Sequence, residues 1–210
     1  MPHLFLYSLM LSEAHHRQIS AMVGKKIPDI AVTMIDNAAD VIPGSQSWVN
    51  GFRKHLQRIG YRIEPLDLRR ADGDPDGIFR ELESRDVVWL SGGDTFYLRW
   101  ILRRSGAEEA ITRFLQSGKV YCGWSAGAIV AGPTTRFFDE MGDDPKRAPE
   151  IVEEGLGFCD RVIVPHLDNP DFSEGAQKTE RKLREAGFKT LALKDQQAFV
   201  MTGSDCRILD

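Results

Sequence analysis

Short apolar segments rich in β-branched and aromatic residues alternate along this chain with longer amphipathic segments. Such alternation is typical of a parallel sheet whose strands are joined by crossover helices. We predict strands at 4–8, 29–33, 62–66, 87–90, 120–124, 162–165, 190–193 and 198–202, the last two forming a hairpin. Predicted helices cover 13–23, 45–59, 76–84, 96–103, 107–116 and 173–186. The sequence therefore predicts one α/β domain over residues 1–210, with a mostly parallel sheet and a C-terminal β-hairpin.

Composition and charge limit the possible functions. The chain has 42% hydrophobic and 28% charged residues, an ordinary globular mixture. Its formal charge of −4 leaves no basic excess for nucleic acid. The three cysteines lack C-x-x-C spacing, which disfavours a zinc site or a disulfide framework. The apolar N-terminal segment has no basic region or cleavage site and is shorter than the roughly 20 residues that span a bilayer. We therefore expect a cytoplasmic protein that binds neither nucleic acid nor membrane.

The segment Gly123-Trp124-Ser125-Ala126-Gly127 has the G-x-S-x-G pattern and lies between a predicted strand and a helix. In a nucleophile elbow the serine occupies a strained turn, and small flanking residues prevent collisions with neighbouring elements. The serine hydroxyl then projects near a helix N-terminus that can stabilise negative charge. The alternatives are an N-cap serine or a phosphate-binding turn. We predict that Ser125 is a nucleophile, and we interpret nearby Cys122 as a small core residue rather than a thiol nucleophile.

A second glycine-rich turn, at 91–95, follows predicted strand 87–90, which is one strand before the strand that leads into the elbow. Loops at the carboxyl ends of parallel strands collect at one edge of the sheet, so this turn is expected close to Ser125. We assign the oxyanion-binding N–H groups to Gly92 or Gly93 together with Ala126. The alternative, a tight turn in which Asp94 or Thr95 caps the next helix, is compatible with that role. Neither turn has the G-x-G-x-x-G fingerprint, which disfavours a nicotinamide or flavin cofactor.

A serine nucleophile needs a base and an orienting carboxylate. Of the five histidines only His166 ends a predicted apolar strand, where it is expected at the same sheet edge as Ser125. Asp195 follows the next strand and is our choice for the carboxylate. Asp168 competes for that role, although an aspartate in D-N-P commonly serves a turn. The acidic, weakly periodic segment 137–157 is a candidate wall or lid.

Four motifs together resemble the peptidase E family of serine peptidases, the aspartyl dipeptidases. They are Leu90-Ser91-Gly92-Gly93-Asp94-Thr95-Phe96, Gly123-Trp124-Ser125-Ala126-Gly127-Ala128, Pro133-Thr134-Thr135-Arg136 and Pro165-His166. The resemblance runs over nearly the whole chain. It implies a doubly wound, flavodoxin-like α/β fold related to class I glutamine amidotransferases. It also implies metal-free hydrolysis of Asp-X dipeptides by a serine, a histidine and an acid.

Carried over by position, the resemblance also implies substrate-binding residues. Asp139 and Glu140 stand where the family has an Asn-Asp pair, and Glu140 matches the carboxylate that holds the substrate ammonium. Thr179 stands where the family has the arginine that receives the aspartyl side chain. Because a hydroxyl does not replace a guanidinium, the cations considered for that task are Arg181, Lys178 and Arg136. Asp195 stands in place of the family's glutamate.

The sequence thus favours a serine exopeptidase that cleaves dipeptides with a free N-terminus, Asp-X by resemblance, through an acyl-enzyme on Ser125. Three alternatives stay open. They are the same mechanism with altered or relaxed specificity, an amidase or amidotransferase-like hydrolase, and a catalytically silent ligand-binding homologue. We expect no metal and no cofactor, a small peptide as the partner, and a monomer or homodimer.

Overall fold

The computed structural model describes residues 2–210 and contains nine strands. They are β1 (His3–Tyr7), β2 (Ala31–Ile35), β3 (Arg62–Pro65), β4 (Val87–Leu90), β5 (Val120–Trp124), β6 (Val162–Val164), β7 (Thr190–Ala192), β8 (Ala198–Thr202) and β9 (Asp205–Leu209). Seven of them form the main sheet in the order β3-β2-β4-β5-β1-β8-β9. The first five of these run parallel to one another. Strand β8 is antiparallel to β1, and β9 is antiparallel to β8. The predicted mostly parallel α/β architecture is confirmed.

Helices cover both faces of the sheet. They are α1 (Glu13–Val23), α2 (Ser45–Ile59), α3 (Pro75–Leu82), α4 (Thr95–Ser105), α5 (Ala107–Gln116), α6 (Ala126–Ile129) and α7 (Ser173–Glu185). Successive side chains of a strand point to opposite faces, and β1 shows the result. Leu4 and Leu6 pack in one core with α3, α4 and α5, whereas Phe5 and Tyr7 pack in a second core with α1 and α2. The sheet is therefore doubly wound.

The prediction that the strands at 190–193 and 198–202 pair with each other as a hairpin is wrong. Strand β7 instead pairs in parallel with β6 in a separate two-stranded sheet. The C-terminal hairpin consists of β8 and β9. The sequence analysis missed β9 because Asp205-Cys206-Arg207 is polar and exposed, as an edge strand without an apolar run can be.

Strand register brings three loops to one edge of the main sheet. Leu90 of β4 is paired with Gly123 of β5, and Trp124 of β5 is paired with Tyr7 of β1. The residues that follow these strands are consequently neighbours at the carboxyl edge. His166, predicted at the end of a strand of this sheet, instead follows β6 of the small sheet.

The turn between β7 and β8 is tied to the loop that follows β1. The peptide N–H groups of Leu9 and Met10 donate to the Asp195 carbonyl at 3.2 and 2.8 Å, and Ser8 N donates to Gln197 O at 3.2 Å. These bonds hold the backbone of Asp195 at the edge where β1 and β5 end. Within residues 2–210, no helix combines the length and hydropathy needed to cross a bilayer.

Candidate active site

Ser125 occupies a strained turn between β5 and α6. Its backbone has φ 47° and ψ −108°, a conformation that side-chain-bearing residues rarely adopt. A Cβ at Gly123 would lie 2.4 Å from the carbonyl oxygen of Gly127, and one at Gly127 would lie 2.4 Å from that of Leu90. The turn can close only because both glycines lack a side chain, as a nucleophile elbow requires.

The hydroxyl of Ser125 belongs to a chain of hydrogen bonds. Its Oγ lies 3.0 Å from His166 Nε2, and His166 Nδ1 lies 2.8 Å from Asp195 Oδ1. The imidazole is buried and the carboxylate is partly buried. Asp195 as acceptor places the proton of a neutral imidazole on Nδ1, which leaves Nε2 free to accept from the serine. This is the spacing expected of a nucleophile, its base and an orienting acid.

The competing carboxylate of Asp168 has a different contact. It accepts a 2.8 Å hydrogen bond from the peptide N–H of Asp195 and is exposed to solvent. It therefore holds the turn that carries Asp195, while Asp195 itself contacts the imidazole.

Two polar side chains that the sequence analysis missed complete the surroundings of Asp195. Ser8 Oγ accepts the peptide N–H of His166 at 2.8 Å and lies 3.3 Å from Asp195 Oδ1, to which it can donate. Asn169 Nδ2 donates to Asp195 Oδ2 at 2.6 Å. Ser8 could have been suspected because it is the last residue of the first predicted strand, and Asn169 because it follows Asp168 in the same turn.

The turn at 91–95 lies beside the elbow, as its position after β4 predicts. A Cβ at Gly92 would lie 3.3 Å from that of Ser125. Within residues 2–210 the N–H groups of Gly92 and Gly93 donate to no protein acceptor, and Ala126 begins α6, where N–H groups have no intrahelical partner. Asp94 meanwhile caps α4 by accepting from Tyr97 N at 2.9 Å.

Ser125 and His166 open into a cavity of about 460 Å³. The rest of its wall consists mainly of apolar side chains, namely Leu9, Ile42, Trp48, Trp124, Ile129, Phe138, Met141 and Phe172. Segment 137–157, predicted as a wall or lid, provides one side of it, through residues between Phe138 and Arg147. The volume lies in the range of pockets for small molecules.

Two charged side chains of this segment, Asp143 and Arg147, line the cavity. Arg147 Nη1 forms an ion pair of 3.3 Å with the fully buried carboxylate of Asp94. Asp143 Oδ2 accepts a 3.2 Å hydrogen bond from Thr95 N at the start of α4. Desolvation, assisted by the charge of Asp94, raises the pKa of Asp143 to about 7.

The substrate-binding residues implied by resemblance lie outside the cavity lining. Asp139 is exposed, and Glu140 forms an ion pair with Lys182, which lowers the pKa of that carboxyl. The Thr179 side chain is buried and donates to Phe137 O at 3.0 Å.

The three cations considered for the aspartyl side chain also lie elsewhere. Arg136 faces Glu153 at 3.7 Å, Lys178 pairs with Glu174 at 2.8 Å, and Arg181 is exposed.

The remaining sequence hypotheses concern a thiol and a metal. Cys122 is fully buried inside β5, and burial raises the pKa of its thiol well above the usual value, so a reactive thiolate is disfavoured. Within residues 2–210, no group of three or more His, Cys, Asp or Glu side chains has the arrangement of a metal site.

Comparisons with known proteins identify the family of this chain. The model of Peptidase family S51 matches residues 11–209. An uncharacterized peptidase of Listeria innocua serovar 6a is 33% identical over 132 residues, 62% of each chain. Peptidase E of Streptomyces coelicolor is 34% identical over 122 residues, 57% of this chain and 48% of that relative. The match thus spans less than two thirds of either relative's length.

A solved structure covers the whole chain. The crystal structure from Listeria monocytogenes EGD-e, whose protein is assigned to peptidase E, has a TM-score of 0.83 and 26% identity. The match includes 100% of this chain and 98% of that one. These findings confirm the resemblance carried by the four motifs: the chain belongs to peptidase family S51, as a relative of the serine-type peptidases called peptidase E.

Proposed function

We propose that the protein is a serine exopeptidase that hydrolyses dipeptides with a free N-terminus through an acyl-enzyme on Ser125. The observation that carries the proposal is the continuous chain from Ser125 through His166 to Asp195, with links of 3.0 and 2.8 Å. A hydroxyl is a weak nucleophile at neutral pH, and an adjacent base of this kind activates it.

In the first step the Ser125 oxygen attacks the peptide carbonyl carbon, and His166 Nε2 takes the hydroxyl proton. The carbonyl oxygen becomes an oxyanion, which the N–H groups of Ala126 and of Gly92 or Gly93 stabilise. The carbon–nitrogen bond then breaks as the imidazolium returns its proton to the leaving amine. Water next attacks the ester, again with His166 as base, and restores the free serine.

Asp195 holds the imidazole in the productive orientation and stabilises its charged form. Its own orientation is fixed from two sides. Asn169 Nδ2 donates a hydrogen bond to Oδ2, while Oδ1 accepts hydrogen bonds from His166 Nδ1 and Ser8 Oγ. Rotation of the carboxylate would break these bonds, so Ser8 and Asn169 act as positioning residues.

The identity of the first substrate residue is a separate matter. The resemblance implies aspartate, whose side chain needs a cation. Among the described residues that line the cavity, Arg147 is the one Lys or Arg, and it is already paired with Asp94. That observation favours the alternative in which the same mechanism serves a different first residue.

Labelling with a fluorophosphonate combined with a Xaa-Leu dipeptide library tests the proposal. We expect labelling of the wild type, Ser125-dependent release of leucine, and neither event in Ser125→Ala. Absence of labelling in a folded wild type would support the silent ligand-binding homologue. Labelling accompanied by hydrolysis of peptide amides, with every dipeptide left intact, would support the amidase alternative.

A further inference from the structure

Four aromatic side chains, Trp48, Trp124, Phe138 and Phe172, line the cavity beside Ser125 and form what is called here its aromatic wall. Trp48 and Trp124 pack edge to face with ring centroids 5.4 Å apart. The ring of Phe172 lies 5.1 Å from that of His166, and Phe172 is 41% exposed. When an apolar group of a ligand covers solvent-exposed aromatic surface, the free energy of the system falls, so such a surface favours apolar ligands.

The charges at the cavity have a negative sum. Arg147 contributes one positive charge, and the carboxylates of Asp94 and Asp143 contribute two negative charges when ionised. Asp94 also accepts from two peptide N–H groups, those of Tyr97 at 2.9 Å and Asp144 at 3.0 Å. Arg147 therefore compensates a buried acid, and a substrate carboxylate would enter a region whose net charge repels it.

Asp143 differs from Asp94 in that its carboxylate forms no direct ion pair with a Lys, Arg or His side chain of residues 2–210, although the charge of Arg147 acts on it from farther away. The Thr95 N–H donates to it at 3.2 Å. A partly desolvated carboxylate without a counter-ion is costly, and a cation that enters the cavity would remove that cost. The ammonium group of a peptide N-terminus is such a cation.

We propose that the cavity binds the first residue of the substrate as an apolar side chain against the aromatic wall, with its free ammonium group paired to Asp143. This inference rests on the proposed function, since Ser125 must attack the carbonyl of that same residue. It assigns the ammonium contact to Asp143 rather than to Glu140, whose carboxylate pairs with Lys182 outside the cavity lining. It also predicts that aspartate is a poor first residue.

Calorimetric binding to Ser125→Ala separates recognition from catalysis, because the dipeptides stay intact. The three titrants are Leu-Leu, Asp-Leu and N-acetyl-Leu-Leu. In Ser125→Ala itself, we expect Leu-Leu to bind at least about 10-fold more tightly than Asp-Leu. Introducing Asp143→Asn should weaken Leu-Leu binding by about 10- to 100-fold, the usual range for a hydrogen bond to a charged group. The acetylated peptide should bind equally weakly with and without Asp143→Asn.

Glu150→Gln is the matched control, because Glu150 is an exposed acid of the same segment outside the cavity lining. It removes one negative charge and should leave all three affinities unchanged. Tighter binding of Asp-Leu than Leu-Leu, or an unchanged Leu-Leu affinity in Asp143→Asn, would overturn the inference. So would a lack of measurable Leu-Leu binding. A failure of the proposed function would give a different result. Leu-Leu would still bind selectively, but the wild type would show no Ser125-dependent hydrolysis.

Discussion

The peptide N–H of Asp195 donates a 2.8 Å hydrogen bond to the carboxylate of Asp168. The two acids that follow β6 and β7 therefore have different contacts, one with backbone and one with the imidazole of His166. A carboxylate that accepts from a peptide N–H can be replaced by an amide, because the amide oxygen still accepts. A carboxylate that must hold an imidazolium cannot be replaced in this way.

Asp195→Asn should lower kcat by about 10⁴-fold, because the amide neither fixes the tautomer nor stabilises the charged imidazole. His166→Ala should cost more, about 10⁶-fold, since the proton acceptor itself is lost. Asp168→Asn should have a much smaller effect. Steady-state rates with one dipeptide measure kcat for all three variants. A severe loss of kcat in Asp168→Asn, together with an unchanged kcat in Asp195→Asn, would assign the orienting role to Asp168.

Ser125→Ala should abolish turnover, with a loss of about 10⁶-fold in kcat, while the protein stays folded. The shape of the elbow depends on Gly123 and Gly127, and the backbone N–H of Ser125 keeps its 3.1 Å bond to Tyr7 O. Circular dichroism and Tm, unchanged from the wild type, are the measure of folding. Residual activity near the wild-type level would eliminate the acyl-enzyme mechanism.

Cys122→Ser should retain activity and lose stability. The side chain is fully buried in β5 among apolar neighbours, so the new hydroxyl has to be buried there. We expect a loss of about 1–3 kcal/mol in the free energy of unfolding, the usual cost of burying such a group without a good partner. Urea unfolding measures this loss. A fall in kcat as deep as that of Ser125→Ala would instead indicate a thiol mechanism.

Gly123→Ala should destabilise the protein by about 3 kcal/mol or more, because its Cβ would overlap the carbonyl oxygen of Gly127 and the core cannot relax freely. Gly51→Ala is the matched control. Gly51 lies within α2 with no atom near the added Cβ, so the change should stabilise by about 0.5–1 kcal/mol through helix propensity. Equal effects of the two substitutions in urea unfolding would contradict the steric account of the elbow.

Local pattern was sufficient to predict the elements that have strong periodicity or apolar runs. The helix at 45–59 and the strand at 120–124 have the predicted bounds. The meeting of Ser125, His166 and Asp195 was also expected, although His166 reaches the serine from the small sheet rather than from the main one.

Features that depend on long-range contacts could not be predicted in this way. Strand β9 pairs with β8 along its whole length, and most of its residues are exposed, so its local sequence has no long apolar run to indicate a strand. The path of segment 137–157 is set by partners distant in sequence, such as Asp94, which accepts from Asp144 N. For that reason motif matching indicated Asp139 and Glu140, whereas the cavity is lined by Asp143 and Arg147.

The raised pKa of Asp143 predicts a specific dependence of stability on pH. In the folded protein its pKa is about 7, mainly because of desolvation, whereas an unfolded aspartate ionises near 3.8. Between these values the folded state binds more protons than the unfolded state, so this group lowers stability progressively as pH rises from about 4 to 7. Asp143→Asn removes the ionisation and keeps an oxygen that can accept from Thr95 N.

The free energy of unfolding of Asp143→Asn, compared with the wild type by urea unfolding, should therefore show a gain that grows between pH 5 and pH 8. Because the side chain is partly exposed, we expect about 1–3 kcal/mol at pH 8. In Glu150→Gln, where an exposed acid is lost, no such growth is expected. A difference between Asp143→Asn and the wild type that stays constant across this range would show that Asp143 is ionised without cost. The need for a substrate cation would then lose its electrostatic basis.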